Sequence, residues 1–208
     1  MESTVPTEPP PAPDFTVKTS LAGDLVRLVP ATREHAATLH GLLADPEVGR
    51  LTGSVHTSDA GPAGAAPAMP WSVVQLEEIY ERWSRADDRL VWVIEERSSG
   101  ELVGESVLHE LDEDNLACGF RIWISGARDR GLGTEAVELT IRHAFEDQHL
   151  HRVGLEVYDF NPRARHVYEK AGFVLEGTMR EALRFDGHWV DCHVMGLLAR
   201  EWHALTRR

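Results

Sequence analysis

The sequence predicts a mixed α+β domain, and three observations support this fold class. Segments with strand periodicity cluster in the first half of the chain, whereas the second half runs strand, helix, strand, helix, strand. The chain has 208 residues, of which 42% are hydrophobic, which is enough for one domain with a sizeable core. No internal repeat is visible.

The first half of the chain predicts two helices between short strands. Leu25–Val29 alternates as a strand, and Thr32 is placed to cap a helix that reaches about Leu43. Residues 71–85 repeat apolar side chains at helical spacing. Three strands follow, joined by short turns rich in Ser, Gly, Asp and Asn, so we expect an antiparallel meander. These strands are Leu90–Glu95, Leu102–His109 and Leu116–Ile124.

The second half predicts a parallel unit followed by a hairpin. A helix spans 132–147, and the next helix is ended by Gly172. The last two strands flank Asp186-Gly187, a dipeptide typical of a tight hairpin turn. After the first helix the elements are the strand Arg152–Tyr158, the helix Pro162–Ala171 and the strands Phe173–Phe185 and His188–Leu197.

Two segments lack these patterns. Residues 1–16 hold five of the eleven prolines, and we expect a disordered leader there, followed by one domain over 17–208. Residues 45–70 are predicted to be a flexible loop. A lid over a site and a disordered insert are both compatible with this loop.

Composition excludes several classes of protein. The net charge of −13 and the pI of about 5.2 argue against a nucleic-acid partner, and suit either a cationic substrate or simple solubility. No signal peptide or membrane-spanning run is present, and two cysteines are too few for a disulfide framework, so we expect a cytoplasmic protein without a membrane partner. The histidines repeat no zinc spacing, and no metal site is expected.

A glycine-containing loop offers the first sign of chemistry. The predicted strand ending at Ile124 enters a loop with Gly131 and Gly133, and the loop opens a helix. Backbone N–H groups at such a helix start suit a pyrophosphate, and Arg128 and Arg130 add positive charge. The loop matches neither a Walker A motif nor the dinucleotide fingerprint. By itself, an ordinary strand-to-helix turn explains the glycines equally well.

A second motif, together with this loop, indicates a resemblance to a known family. The pattern Asn161…Ala164…Tyr168…Gly172-Phe173, combined with Arg128-x-x-Gly131-x-Gly133, resembles the GNAT acetyltransferase superfamily. Within it, the closing Gly177-x-x-Arg180-Glu181…Asp186-Gly187 hairpin is similar to the branch of ribosomal-protein N-terminal and spermidine acetyltransferases. The resemblance covers roughly residues 24–200, and it implies a mixed, centrally splayed sheet flanked by helices.

The resemblance also implies a site for acetyl-CoA. The cofactor would dock in a V-shaped opening between the strands Leu116–Ile124 and Arg152–Tyr158, and Tyr168 would protonate the departing thiolate. Asn161 could also be only a helix N-cap, and Tyr168 only a core aromatic. The implied cofactor contacts are Ile122, Trp123, Ile124, Arg128, Asp129, Arg130, Gly131, Leu132, Gly133, Thr134, Asn161 and Arg165.

The general base is less clear. The family often places a Glu on the strand before the phosphate loop, but Leu116–Ile124 holds no carboxylate. Glu105 is the best substitute, with Glu110 or Asp112 acting through water behind it. An N-terminal amine, whose pKa is already near 8, needs no strong base.

We therefore expect an N-acetyltransferase that transfers the acetyl group of acetyl-CoA to a primary amine by direct attack in a ternary complex. The acceptor could be a protein N-terminus, a polyamine, an aminoglycoside or another small amine. A homodimer through the final hairpin, whose outer strand is otherwise an exposed edge, is also plausible. The alternative is a non-catalytic acyl-CoA-binding module that acts through a protein partner.

Overall fold

The computed structural model describes residues 11–58, 71–126 and 130–207. The strands are β1 Leu21–Ala22, β2 Val26–Pro30, β3 Leu90–Glu96, β4 Leu102–Asp112, β5 Ala117–Ile124, β6 Arg152–Tyr158, β7 Val174–Phe185 and β8 His188–Leu198. The helices are α1 Ala36–Leu43, α2 Pro46–Leu51, α3 Val73–Trp83, α4 Leu132–Arg142, α5 Pro162–Lys170 and α6 Ala199–Thr206. A 3₁₀ turn, Arg33–His35, precedes α1, and a π-helical turn, His143–Asp147, continues α4.

The strands form one mixed sheet in the order β1-β2-β3-β4-β5-β6-β8-β7. Neighbouring strands are antiparallel except β5 and β6, which are parallel. This confirms the predicted α+β class, with a meander in the first half and a closing hairpin. The parallel pair follows from the helix α4 between its strands, because a crossover helix returns the chain to the same end of the sheet.

The sheet is splayed at its centre. β5 and β6 pair at only three positions, Ala117 with Arg152, Cys118 with Val153, and Gly119 with Gly154. Beyond Gly119 and Gly154 the two strands have no ladder contact, so the sheet opens into a V whose closed end is at these glycines. The V-shaped opening implied by the family resemblance is therefore present.

Helices cover both faces of the sheet. One face packs against α4, α5 and α6, in a core that includes Leu132, Phe145, Tyr168 and Trp202. The other face packs against α1, α2 and α3, in a second core that includes Tyr80 and Trp123. Within the described ranges, no helix is long and apolar enough to span a membrane.

The predicted boundary of the leader is wrong for residues 11–16. Phe15 is only 1% exposed and belongs to the larger core. The Lys18 ammonium donates hydrogen bonds to the carbonyls of Phe15, Ala86 and Arg89 at 2.6–2.7 Å. One aromatic anchor and one cation that bridges three carbonyls fix this segment, although its composition resembles that of a disordered chain. Residues 1–10 lie outside the described ranges.

The predicted loop 45–70 is partly wrong as well, because it contains the helix α2. The Asp45 carboxylate accepts a hydrogen bond from the N–H of Glu47, and Pro46 occupies the first helical turn. Further along, Ser58 donates through both its N–H and its hydroxyl to the Asp186 carboxylate in the β7–β8 turn. The choice between a lid and an insert falls largely on 59–70, which lie outside the described residues.

Candidate active site

The open end of the V is a cavity of about 360 Å³. Nine of the predicted site residues line it, and they come from the end of β5, the start of α4 and the helix α5. These nine are Ile122, Trp123, Ile124, Gly131, Leu132, Gly133, Thr134, Asn161 and Tyr168. The two sequence motifs, about 30 positions apart along the chain, therefore meet at one site.

The start of α4 presents backbone donors to this cavity. Gly131 has φ of +79° and is the N-cap, a left-handed conformation that favours glycine. The first intrahelical bond runs from the Glu135 N–H to the Gly131 carbonyl, so the N–H groups of 132–134 precede the hydrogen-bond ladder. Such a helix start is suited to a phosphate anion.

The one carboxylate in the first turn of α4 is turned away from the anion site. The Glu135 carboxylate accepts hydrogen bonds from the N–H groups of Asp24, Leu25 and Val26 at 2.7–2.9 Å. These hydrogen bonds to the Glu135 carboxylate therefore stabilise the β1–β2 turn. Arg128 and Asp129, predicted cofactor contacts, lie outside the described residues.

Two predicted cofactor contacts are not among the residues that line the cavity. Arg130 is ion-paired with Glu96, and Arg165 is ion-paired with Glu169 one turn along α5, at 2.9 Å. Each guanidinium already has a carboxylate partner, which the sequence motif alone did not reveal.

Tyr168 combines burial with access to the cavity. Its side chain is 7% exposed, and its ring lies edge-on to Phe120 and Phe173. Within the described ranges its hydroxyl has no hydrogen-bond partner. None of the side-chain N or O atoms that are fully buried there lacks a partner, so the Tyr168 oxygen must keep some exposed surface. Because Tyr168 lines the cavity, we infer that this surface faces the cavity. Burial raises the pKa of Tyr168, so the phenol stays protonated at neutral pH and can donate a proton.

Asn161 caps the helix α5 and also lies at the cavity. Its side-chain oxygen accepts a hydrogen bond from the Ala164 N–H at 3.1 Å, and Pro162 occupies the first helical position. The same residue lines the cavity, where its amide N–H₂ remains available as a donor.

Glu105 is not placed as a direct base. It is 2% exposed, and its carboxylate accepts a 2.6 Å hydrogen bond from the Tyr80 hydroxyl and longer ones, at 3.4 Å, from Arg121 and Trp123. It does not line the cavity, although Trp123 does. The prediction that an acceptor amine reaches Glu105 directly therefore has no support in this geometry.

The two reserve carboxylates lie at the wrong end of the sheet. Asp112 pairs across β4 and β5 with Ala117, beside the closed end of the V, and its side chain binds Asn115. Glu110 is on the same stretch, next to His109. Both are remote along the strand from Ile122–Ile124, so neither faces the opening.

Helix α2 contributes cavity residues that sequence reasoning missed. It forms one side of the cavity, and the Ser125 hydroxyl after β5 donates to the Asp45 carboxylate at 2.9 Å. The Asp-Pro pair followed by Glu47 was a helix-start signal within the predicted loop. Its lining residues are Asp45, Glu47, Val48, Arg50, Leu51 and Thr52.

Other reactive side chains do not compete with this site. Burial raises the pKa of the Cys118 thiol to about 12, so it is not a ready thiolate nucleophile. Among the residues that the structure describes, no group of three or more His, Cys, Asp and Glu side chains is placed to hold a metal ion.

Comparison with known proteins agrees with the geometry. The putative ribosomal N-acetyltransferase YdaF of Bacillus subtilis is 36% identical over 104 residues, which cover 50% of this chain and 57% of that relative. The spermidine N(1)-acetyltransferase of Vibrio cholerae is 27% identical over 129 residues, covering 62% of this chain and 74% of the relative. The chain thus spans little more than half the length of the first of these relatives.

Solved structures show the same fold. The spermidine N-acetyltransferase from Vibrio cholerae, in complex with CoA and spermine, superposes with a TM-score of 0.74 at 22% identity, over 87% of this chain and 99% of that one. A GCN5-related N-acetyltransferase from Brucella melitensis gives a TM-score of 0.72 over 94% of this chain and 86% of that one, also at 22% identity. Residues 26–174 match the acetyltransferase (GNAT) domain family, and the chain belongs to that family.

Proposed function

We propose that this chain transfers the acetyl group of acetyl-CoA to a primary amine. One observation carries the proposal: the helix start at Gly131, the unpaired end of β5 and the Tyr168 hydroxyl all border a single cavity in the splayed sheet. Membership of the GNAT family supports the same reaction.

Acetyl-CoA fits this site by the chemistry of its donors. The N–H groups at the start of α4 would bind the pyrophosphate, together with the Arg128 guanidinium and the backbone N–H of Asp129 in the same loop. The edge of β5 over Ile122–Ile124, which has no partner from β6, would accept the amide-containing pantetheine as a further strand does. Asn161 would add a side-chain amide to the same cofactor arm.

The reaction then follows from groups at the cavity. The neutral amine attacks the thioester carbonyl, the C–N bond forms, and negative charge builds on the carbonyl oxygen, where a β5 backbone N–H can stabilise it. As the tetrahedral intermediate collapses, the C–S bond breaks and the thiolate takes a proton from the Tyr168 hydroxyl. The nitrogen loses one proton to water, and the tyrosinate regains its proton from water, which completes the cycle. Holding both reactants in one cleft supplies much of the remaining rate acceleration.

The acceptor is proposed to be a polyamine or a protein N-terminus. Relatives are named for spermidine and for ribosomal-protein alanine amines. The net charge of −13 favours the approach of a cation, which suits a polyamine and also a basic ribosomal protein.

Two broader assignments remain proposals. A homodimer through the outer edge of β7 is supported by that strand's terminal position in the sheet and by the exposure of Val174 and Met179. A cytoplasmic location is supported by the two free cysteines, Cys118 and Cys192.

The experiment is acetyl-CoA turnover, followed as thiol release, against polyamines, aminoglycosides, amino acids and short peptides. Acceptor-dependent thiol release with an acetylated product in the mass spectrum would establish the enzyme and its acceptor class. Tight acetyl-CoA binding without transfer to any acceptor would instead favour the acyl-CoA-binding module.

A further inference from the structure

Arg121 of β5 lies where β5 and β6 separate. Ile122 packs against the core that holds Tyr168, whereas Trp123 belongs to the core on the other face of the sheet. Because strand residues alternate, Arg121 shares the face of Trp123. Arg121 is two residues beyond Gly119, the last β5 residue that pairs with β6, so its side chain projects at the point where the V begins to open.

The Arg121 guanidinium has only a weak partner. Its side chain is 49% exposed, and among the residues that the structure describes it forms an ion pair with Glu105 alone, at 3.4 Å. The Glu105 carboxylate is buried and already accepts a 2.6 Å hydrogen bond from the Tyr80 hydroxyl. A guanidinium carries five N–H donors in a plane that matches a carboxylate, and this long contact uses one of them. Arg121 therefore keeps donors for a ligand on its solvent side.

Two neighbouring basic side chains on this face are less available than Arg121. Arg152 on β6 donates to both carboxylate oxygens of Glu176. Burial, and after it the positive charge of Arg121, lowers the pKa of His109 on β4, so this imidazole is mainly neutral at pH 7. Of these three basic groups, Arg121 is therefore the permanent cation with the weakest carboxylate contact.

There is room for an acceptor beside Arg121. Gly119, Gly154 and Gly196 stand in register on β5, β6 and β8, which leaves a strip of backbone without side chains of its own across three strands. A Cβ placed on Gly154 would meet no atom of the described residues closer than 3.9 Å, so the middle of the strip is open. The exposed Glu156 projects from the same face of β6, two residues beyond Gly154. At the opening of the V, this face thus presents a positive side chain on β5 and a negative one on β6.

The distance along β5 decides which acceptor groups Arg121 can reach. Trp123, which lines the cavity, is two residues from Arg121 on the same face, about 7 Å along the strand. An amine placed for attack beside Trp123 would bring the side chain of the first or second residue of a peptide within reach of the guanidinium. A carboxylate there would accept hydrogen bonds from Arg121, whereas the second ammonium of a polyamine would be repelled by it.

We propose that Arg121 selects the acceptor, and that the acceptor is a peptide N-terminus with an acidic side chain at its first or second residue. The proposal rests on the acetyl transfer proposed above and chooses between the two acceptor classes named there. Arg121 binds the carboxylate of the acceptor and takes no part in breaking or forming bonds. It is a specificity-determining residue, so its replacement changes the preference among acceptors.

The test compares kcat/KM for spermidine and for two amidated tetrapeptides with N-terminal alanine that differ only in Glu or Gln at their second position. An ionic strength of about 0.15 M screens remote charges of the chain, so the ratio between the peptides reports groups near the amine. We expect wild type to prefer the Glu peptide about tenfold, and to acetylate spermidine less efficiently than that peptide.

The variants separate selection from a structural role. Arg121→Gln should abolish the preference for the Glu peptide, and Arg121→Lys, which keeps the charge, should retain part of it. The control is Arg200→Gln, which removes an exposed arginine on α6 and should leave the preference unchanged. Because both peptides are measured on the same protein, a loss of folded enzyme in a variant cancels from the ratio.

Three results would overturn the inference. Equal kcat/KM for the two peptides with wild type, or a preference that survives in Arg121→Gln, would show that Arg121 does not select the acceptor. Wild type that acetylates spermidine more efficiently than the Glu peptide would show that the acceptor class is wrong. Both results leave acetyl transfer intact, whereas wild type without thiol release on any of these amines or the wider panel would overturn the proposed function, and this inference with it.

Discussion

The Tyr80 hydroxyl donates a 2.6 Å hydrogen bond to the buried Glu105 carboxylate. This bond joins α3 to β4 in the interior, and Trp123, which lines the cavity, donates its Nε1–H to the same carboxylate at 3.4 Å. Burial and the Glu105 charge raise the pKa of Tyr80, so its phenol remains a proton donor. Glu105 therefore supports the cavity wall from behind.

Replacing Tyr80 by Phe should destabilise the fold. Glu105 would keep only its 3.4 Å contacts, and an under-satisfied buried acceptor typically costs about 1–3 kcal/mol. Urea denaturation measures the free energy of unfolding. Tyr158→Phe is the matched control, because the Tyr158 hydroxyl has no hydrogen-bond partner within the described residues. Equal stabilities of the two variants would show that the Tyr80–Glu105 bond contributes nothing.

Gly53→Ala should cost more than Gly100→Ala. Both glycines have positive φ, +68° and +73°, so each substitution carries the strain of the left-handed region, about 1–2 kcal/mol. At Gly53 the new Cβ would meet the Tyr158 ring at 2.5 Å, whereas at Gly100 no atom of the described residues lies within 4 Å. Thermal unfolding of both variants isolates the steric part. Equal destabilisation of Gly100→Ala and Gly53→Ala would contradict the close contact between Gly53 and the Tyr158 ring on β6.

Phe15→Ala should destabilise the protein by about 3–5 kcal/mol, the range for removing a buried aromatic side chain. The reason is that Phe15 is 1% exposed, whereas Val17, two residues later, is 55% exposed. Val17→Ala is therefore the control and should change the free energy of unfolding little. A Phe15→Ala protein as stable as the control would restore the original prediction of a leader that ends at residue 16.

Gly131→Ala should weaken acetyl-CoA binding about tenfold. The substitution strains the N-cap at φ of +79° and brings a Cβ within 3.2 Å of Leu25, which would shift the first amides of α4. Calorimetric titration with acetyl-CoA measures the loss. Gly126→Ala has the same kind of backbone, φ of +68°, and its Cβ would meet no atom of the described residues within 4 Å, so it serves as the control for backbone strain. Unchanged affinity in Gly131→Ala would remove the α4 start from the cofactor site.

Regular elements were predictable because their periodicity is local. The strand Arg152–Tyr158 has the predicted bounds, and the helix from Leu132 continues to Asp147 as expected, although its last turn is π-helical. The order of residues 11–16 could not be predicted in this way, because it depends on the burial of one side chain, Phe15. The helix α2 has only six residues, too few for a visible amphipathic repeat, so its Asp-Pro start was the one available signal.

The residues of the candidate site also fall into a group that the sequence could place and a group that it could not. The cavity positions of residues fixed by backbone geometry, such as Gly131 and the end of β5, were predictable, because the motif states the geometry directly. Charged side chains were not, because their position depends on partners distant along the chain: Arg130 pairs with Glu96, and Glu105 is held by Tyr80.

The most direct test of the account is acetyl transfer by wild type and Tyr168→Phe, measured side by side as thiol release with spermidine and with an N-terminal alanyl peptide. The account predicts acceptor-dependent turnover by wild type and a fall in kcat of about 100-fold in the variant, with acetyl-CoA binding retained. Equal kcat values in the two proteins, or no turnover by wild type with any amine, would contradict it.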